Sequence, residues 1–176
     1  SLPDRTSFER VPVAYLDSDS THPVSKGARA AIVGYFARRG APGSGTTSVD
    51  DERILTNFAR LVNADRADLW FVQSTTSAEH MIVDGLDLFD SDAHIVTDTL
   101  HFFGSFPLYE GLAQRGARVT WLRPRDGRID LEEMRRAITP VTKLVALSLV
   151  STFNGFEHDL RAVCELAHAQ GALVYA

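Results

Sequence analysis

Short apolar runs alternate with helix-like patterns over most of the chain. Strand-like runs fall at 69–72, 94–98, 117–121, 143–149 and 172–175. Between them, apolar residues three and four positions apart predict helices over about 76–87, 105–115, 131–138 and 159–170. Strands joined by helices require right-handed crossovers, which give a mainly parallel sheet with helices on both faces. The predicted fold class is therefore α/β, a mainly parallel (mixed) sheet sandwiched by helices.

The N-terminal part of the chain is less regular. Apolar positions from Val24 to Phe36 recur at helical spacing, and the segment from Gly40 to Thr47 (GAPGSGTT) has the composition of a loop. These features predict two regions: an N-terminal segment and helix over 1–45, and a large α/β domain over 46–176. The large domain is expected to be incomplete at its C-terminal end, because the last apolar run resembles a strand that has just begun.

Composition narrows the class of protein. The chain has 176 residues, of which 44% are hydrophobic and 23% charged, with a net charge of −5. That balance is typical of a soluble domain and argues against a nucleic-acid surface, which would show a basic stripe. No apolar run approaches the roughly 20 residues that span a bilayer. The single cysteine, Cys164, allows no internal disulfide and predicts a reducing, cytoplasmic setting. The six histidines show no paired ligand spacing, so no metal site is predicted.

A cluster of hydroxyl side chains follows the first apolar run. Ser74, Thr75, Thr76 and Ser77 lie where a helix pattern begins. Ser and Thr at this place can cap the helix by accepting hydrogen bonds from its free N–H groups. The same N–H groups and the helix dipole can also bind a phosphate. Residue types alone leave both interpretations open.

Several motifs together resemble the class V aminotransferase family of enzymes, which depend on pyridoxal 5'-phosphate (PLP). The segment 71–78 (FVQSTTSA) resembles the family's FTSGTTEA, and 15–21 (YLDSDST) resembles its YLDNAAT. The family includes cysteine desulfurases, selenocysteine lyases, kynureninases and isopenicillin N epimerase-like proteins. The resemblance extends from about Tyr15 to Ala176 and corresponds to the N-terminal half of such a protein. It implies that 46–176 is the large, cofactor-binding domain of the fold-type I PLP-dependent transferases. It also implies that the N-terminal segment and helix over 1–45 lie beside the active site.

The resemblance implies roles for two groups of residues. Ser74, Thr75 and Thr76 align with the positions that bind the cofactor phosphate. His101, six residues before Pro107, aligns with the histidine that stacks on the pyridine ring. Because parallel strands end at one edge of a sheet, we expect residues 74–77 and His101 to converge there.

Two further segments align with the family less closely. In 148–155 (SLVSTFNG), Thr152 holds the position of an asparagine that contacts the cofactor. On an extended strand Asn154 would face the same side, so either residue could make this contact. Asn-Gly is also a frequent turn dipeptide. Ser18, Asp19 and Ser20 align with a substrate-facing loop.

Two catalytic groups of the family have no counterpart in the chain. The Schiff-base lysine and the acid that protonates the pyridine nitrogen are expected beyond Ala176, since neither Lys26 nor Lys143 matches the lysine. The resemblance implies a PLP-dependent enzyme acting on an amino acid, cysteine desulfurase-like, with C–S lyase or aminotransferase chemistry. Epimerase or kynureninase-like chemistry and a non-catalytic α/β binding or assembly domain are the alternatives. Which amino acid is the substrate stays open.

The resemblance also implies a homodimer with active sites at the subunit interface. Four aromatic residues that follow the proposed stacking histidine are expected to be partly buried by the partner or the cofactor: Phe102, Phe103, Phe106 and Tyr109.

Overall fold

The computed structural model describes residues 5–9, 15, 23–41, 43, 51–89 and 92–176. The chain forms two compact units, Ser1–Trp70 and Phe71–Ala176. This division follows packing within the chain. The predicted regions 1–45 and 46–176 are instead distinguished by their position relative to the active site, and that division stays a prediction.

The first unit contains two α-helices, α1 (Lys26–Arg39) and α2 (Asp51–Val62). Ser25 begins α1, because its side chain accepts a hydrogen bond from the N–H of Ala28 at 3.1 Å. Helix α2 is amphipathic and buries Leu55 and Ala59 on one face. The helix expected from the spacing of apolar residues between Val24 and Phe36 is thus present as α1.

The second unit contains a four-stranded parallel sheet. Its helices are α3 (Thr75–Gly85), α4 (Phe106–Gln114), α5 (Leu131–Ala137) and α6 (Leu160–Ala169). Its strands are β1 (His94–Asp98), β2 (Arg118–Leu122), β3 (Thr142–Ala146) and β4 (Leu173–Tyr175). The strand order is β2-β1-β3-β4, and every pair is parallel. The predicted α/β fold class is confirmed. None of the helices in the described ranges is long and apolar enough to cross a membrane.

Alternate residues of the central strands supply two separate apolar cores. In β1, Ile95 packs into the core that contains Leu112 of α4, whereas Val96 packs into the core that contains Val163 of α6. Such alternation is the period of two expected of an extended strand. The sheet is therefore covered on both faces, with α3 and α4 on one side and α5 and α6 on the other.

The strand order reverses between β1 and β3. The chain leaves β1 through α4 to reach β2 at one edge, and it leaves β3 through α6 to reach β4 at the other edge. The two connections run on opposite faces, so the topological switch point lies at the carboxyl ends of β1 and β3. In open α/β sheets this switch point is where ligands bind.

Two predicted strands differ from the structure. The apolar run 69–72 forms no strand, and Trp70 is 82% exposed, because none of the described residues pairs with this run. High β propensity does not make a strand without a neighbouring ladder. Strand β3 ends at Ala146 instead of 149, and residues 152–154 form a turn. Of the two alternatives left open for Asn154, the structure therefore shows the turn and not the extended strand.

Candidate functional site

A hydrogen bond joins the segments that follow β1 and β3 at the switch point. The Nδ1 atom of His101 lies 2.9 Å from Oγ of Ser148. The same Oγ accepts the N–H of Phe102 at 3.0 Å. His101 comes three residues after β1, and Ser148 two residues after β3. The imidazole is thus held at the place where the fold favours a ligand.

A buried carboxylate holds the other edge of the imidazole. Glu79 of α3 is 2% exposed, and its Oε1 lies 3.0 Å from Nε2 of His101. The hydroxyl groups of Ser105 and Tyr109 each donate to this carboxylate at 2.5 Å. Burial raises the pKa of Glu79, but the hydrogen bonds from these three residues outweigh it, so the pKa lies below its ordinary value. The carboxylate is therefore ionised at neutral pH.

The first turn of α3 shows the capping interaction directly. Oγ of Ser74 accepts the N–H of Ser77 at 3.1 Å and also lies 3.1 Å from Oγ of Ser77. Ser74 therefore uses its hydroxyl within the helix. Thr75 is exposed and Thr76 is half-buried. The early N–H groups of a helix have no acceptor in the helix, so those of the first turn can still receive an anion.

Tyr175, at the end of β4, brings the two parts of the site together. Its hydroxyl donates to the backbone oxygen of Thr75 at 3.4 Å. Its ring lies edge-on to His101, with ring centroids 6.3 Å apart. Burial and the charge of Glu79 raise the pKa of Tyr175, so its hydroxyl keeps its proton at neutral pH. The first turn of α3 and His101 thus meet at one edge of the sheet, as expected.

The ring of His101 is enclosed by its neighbours. The residue is 3% exposed, and its ring lies 6.0 Å from that of Tyr109 as well as beside Tyr175. Both ring nitrogens face hydrogen-bond partners. The role of His101 in stacking on a cofactor stays a prediction.

The turn after β3 uses Asn154 as a structural residue. Its Nδ2 donates to the backbone oxygen of Gly127 at 2.7 Å, and its Oδ1 accepts the N–H of Phe156 at 3.0 Å. Thr152 lies exposed in the same turn. The cofactor contacts proposed for Thr152 and Asn154 stay predictions. The substrate residues Ser18, Asp19 and Ser20 lie outside the described residues.

The aromatic residues after His101 differ in their surroundings. Tyr109 is fully buried in the core of its own chain, so it needs no partner to cover it. Phe106 packs edge-on to Trp121, with ring centroids 5.2 Å apart. Phe102 is half-buried, and Phe103 is exposed and touches it. Burial of these rings by a partner subunit stays a prediction.

Sequence reasoning missed Glu79, although the sequence carries a signal for it. Glu79 and Val83 are four residues apart and therefore share one helix face, and Val83 is buried. A charged residue on an apolar helix face is rarely buried unless it is paired. Ser148 and Tyr175 gave no such signal, because only the strand order places them beside His101. Among the described residues, no group of three or more His, Cys, Asp or Glu could hold a metal ion.

The fold and site together define an open α/β domain with a group of polar side chains at its switch point. A sequence profile described as "Aminotransferase class-V" matches residues 14–176. The chain therefore belongs to the aminotransferase class-V family.

Individual relatives agree with this assignment. A probable cysteine desulfurase from Halalkalibacterium halodurans is 27% identical over 93% of the chain and 43% of its own length. The crystal structure of the cysteine desulfurase CsdA from Escherichia coli matches with a TM-score of 0.73 and 24% identity, over 91% of the chain and 43% of its own. A C-DES mutant with glycine linked to its PLP cofactor matches with a TM-score of 0.79 and 16% identity, over 98% and 47%. The two structures show the shared fold, and the chain spans less than half the length of the relatives it matches.

Proposed function

We propose that the protein containing this chain is a PLP-dependent enzyme acting on an amino-acid substrate, with cysteine desulfurase-like chemistry (C–S lyase or aminotransferase). The observation that carries the proposal is the meeting of the first turn of α3 with His101 at the switch point, in a chain of the aminotransferase class-V family. A homodimeric assembly and a reducing, cytoplasmic setting belong to the same proposal.

The first turn of α3 suits the phosphate end of the cofactor. The helix is 11 residues long, and its dipole favours an anion at the N-terminus. Thr75 and Thr76 can add hydroxyl donors to the backbone N–H groups. The hydroxyl oxygen of Ser74 accepts the N–H of Ser77, and its hydroxyl proton can still be donated to an anion. Phosphate is therefore the ligand group whose charge and acceptor oxygens these donors fit.

The residues at the switch point suit the ring end. When bound, PLP supplies an electron sink for a carbanion formed on the substrate. The protein contributes binding and orientation: Thr76 would donate to the phosphate, and His101 would lie beside the ring. His101 is held by Glu79 on one side and by Ser148 on the other. A fixed imidazole limits the orientations that the bound ring can take.

The test is a titration of the purified protein with PLP and with pyridoxal, which lacks the phosphate. Tight binding of PLP and much weaker binding of pyridoxal are expected. Thr76→Ala should weaken PLP binding by about 1.5–3 kcal/mol, the scale of a hydrogen bond to a charged group. That loss corresponds to roughly a 10- to 150-fold rise in Kd.

A matched control comes from the other end of the sheet. Thr139 precedes β3 at the amino ends of the strands, so Thr139→Ala should leave the Kd for PLP unchanged. A Thr76→Ala variant that binds PLP with the wild-type Kd would show that the Thr76 hydroxyl takes no part in phosphate binding. Wild-type protein that binds no PLP would overturn the proposal.

A further inference from the structure

Glu79 is one helical turn beyond the predicted phosphate site, and no motif of the sequence assigned it a role. Its side chain is almost fully enclosed, and its carboxylate is hydrogen-bonded to three polar side chains. An ionised carboxylate only accepts hydrogen bonds. Each of the three groups that face Glu79 must therefore point a proton at it, and Nε2 of His101 is one of them.

The other edge of His101 is also occupied. Ser148 Oγ accepts the N–H of Phe102, which leaves its own hydroxyl proton free to point at Nδ1 of His101. With a proton on Nε2 and an acceptor lone pair on Nδ1, every donor between Glu79 and Phe102 faces an acceptor. Nε2–H faces the Glu79 carboxylate, the Ser148 hydroxyl faces Nδ1, and the Phe102 N–H faces Ser148 Oγ. The two contacts of His101 are 3.0 and 2.9 Å long, the normal range for hydrogen bonds.

We propose that Glu79 is the positioning residue of His101. Its carboxylate keeps a proton on Nε2 and fixes the plane of the imidazole at the switch point, while Ser148 occupies Nδ1. Neither nitrogen is then free to exchange a proton with a substrate. His101 acts through its ring, and the substrate proton is moved by another group. This catalytic consequence rests on the proposed function, whereas the positioning itself can be measured without any cofactor.

The measurement is ¹⁵N NMR of the histidine side chains in the purified protein at neutral pH, before PLP is added. The expected result is a protonated Nε2 in His101, with its N–H proton visible because exchange with water is slow. In Glu79→Gln an oxygen acceptor remains but the charge is lost, so the signal should persist and move upfield. In Glu79→Ala the acceptor is gone, so the signal should disappear through exchange.

Tyr109→Phe is the matched control. It removes a different hydrogen bond from the same carboxylate, so it lowers stability and should keep the His101 signal. A purely structural role for Glu79 predicts that Tyr109→Phe and Glu79→Ala change the signal alike. The wild-type spectrum alone can refute the proposal, because an unprotonated Nε2 is incompatible with it even if no variant folds.

A PLP titration of the same samples separates this proposal from the proposed function. Protein that binds PLP but lacks the proton on Nε2 would overturn the positioning role and leave the proposed function intact. Protein that shows the His101 proton but binds no PLP would overturn the proposed function and support the positioning role.

Discussion

Replacing Asp98 tests how the carboxyl end of β1 is held beneath the site. Asp98 is the last residue of β1 and is 0% exposed. Its Oδ1 accepts the N–H of Leu100 at 2.7 Å, which shapes the turn leading to His101. Its Oδ2 lies 3.2 Å from Nε2 of His158, but the alignment is poor for a hydrogen bond. Among the described residues, those two atoms have no other partner.

The two contacts of Asp98 give different magnitudes for two substitutions. Asp98→Asn keeps an oxygen for Leu100 and removes the charge beside His158, so a loss of about 1–3 kcal/mol of unfolding free energy is expected. Asp98→Ala also leaves the Leu100 N–H and the His158 ring without partners in a buried place. Each buried polar group left without a partner costs about 1–3 kcal/mol, so the two together are expected to cost about 2–6 kcal/mol. That is a large part of the roughly 5–15 kcal/mol that stabilises a typical domain.

The assay is urea unfolding followed by circular dichroism, with Asp98→Asn, His158→Gln and the double variant forming a cycle. If the two side chains interact, the losses of the single variants should fail to add by about 0.5–3 kcal/mol. Strict additivity would show that the 3.2 Å contact contributes nothing. Equal losses for Asp98→Asn and Asp98→Ala would refute the role assigned to the Leu100 hydrogen bond.

Three other predictions concern helix capping, the turn after β3 and the charge of Glu79. Ser74→Ala and Ser25→Ala each remove a helix cap, so each should cost about 1 kcal/mol of unfolding free energy. Only Ser74→Ala would also lower PLP affinity if Ser74 contacts the phosphate. Asn154→Ala should lower the free energy of unfolding in urea by about 1–3 kcal/mol, because both polar ends of its side chain hold the turn. Thr152→Ala should change it by less than about 0.5 kcal/mol. A loss of PLP affinity in the Thr152 variant alone would assign the cofactor contact to Thr152. The folded-state pKa of Glu79 lies below the unfolded value of about 4.3, so its contribution to the free energy of unfolding is present above that pH and is lost as pH falls through the folded pKa. Glu79→Gln should therefore make the free energy of unfolding, measured with urea, less dependent on pH on the acid side. An unchanged pH dependence would contradict an ionised Glu79.

The elements that sequence reasoning predicted correctly are those whose pattern is local. The helices α3 to α6 and the strands β1 to β4 follow from apolar spacing and from short runs, with boundaries a few residues off. The run 69–72 has the same local signal as β1 and forms no strand, because pairing depends on a neighbour that the run itself does not encode. Strand β3 was predicted too long for a related reason: Ser151 and Asn154 bond to nearby backbone N–H groups, which favours a turn over continued pairing.

The residues of the candidate site also divide into those with a local sequence signal and those without one. His101 and the first turn of α3 were predicted because each follows a recognisable motif. Ser148 and Tyr175 could not be, since their places depend on the strand order β2-β1-β3-β4, which no local pattern specifies. Glu79 stands between these cases: its position on the buried face of α3 can be read from the sequence, but its partners cannot. A buried carboxylate is costly unless donors surround it. A charged residue at an apolar helical position, next to hydroxyl side chains at a helix start, therefore indicates that polar groups from elsewhere in the fold converge on it, and in this chain one of them is the histidine of the site.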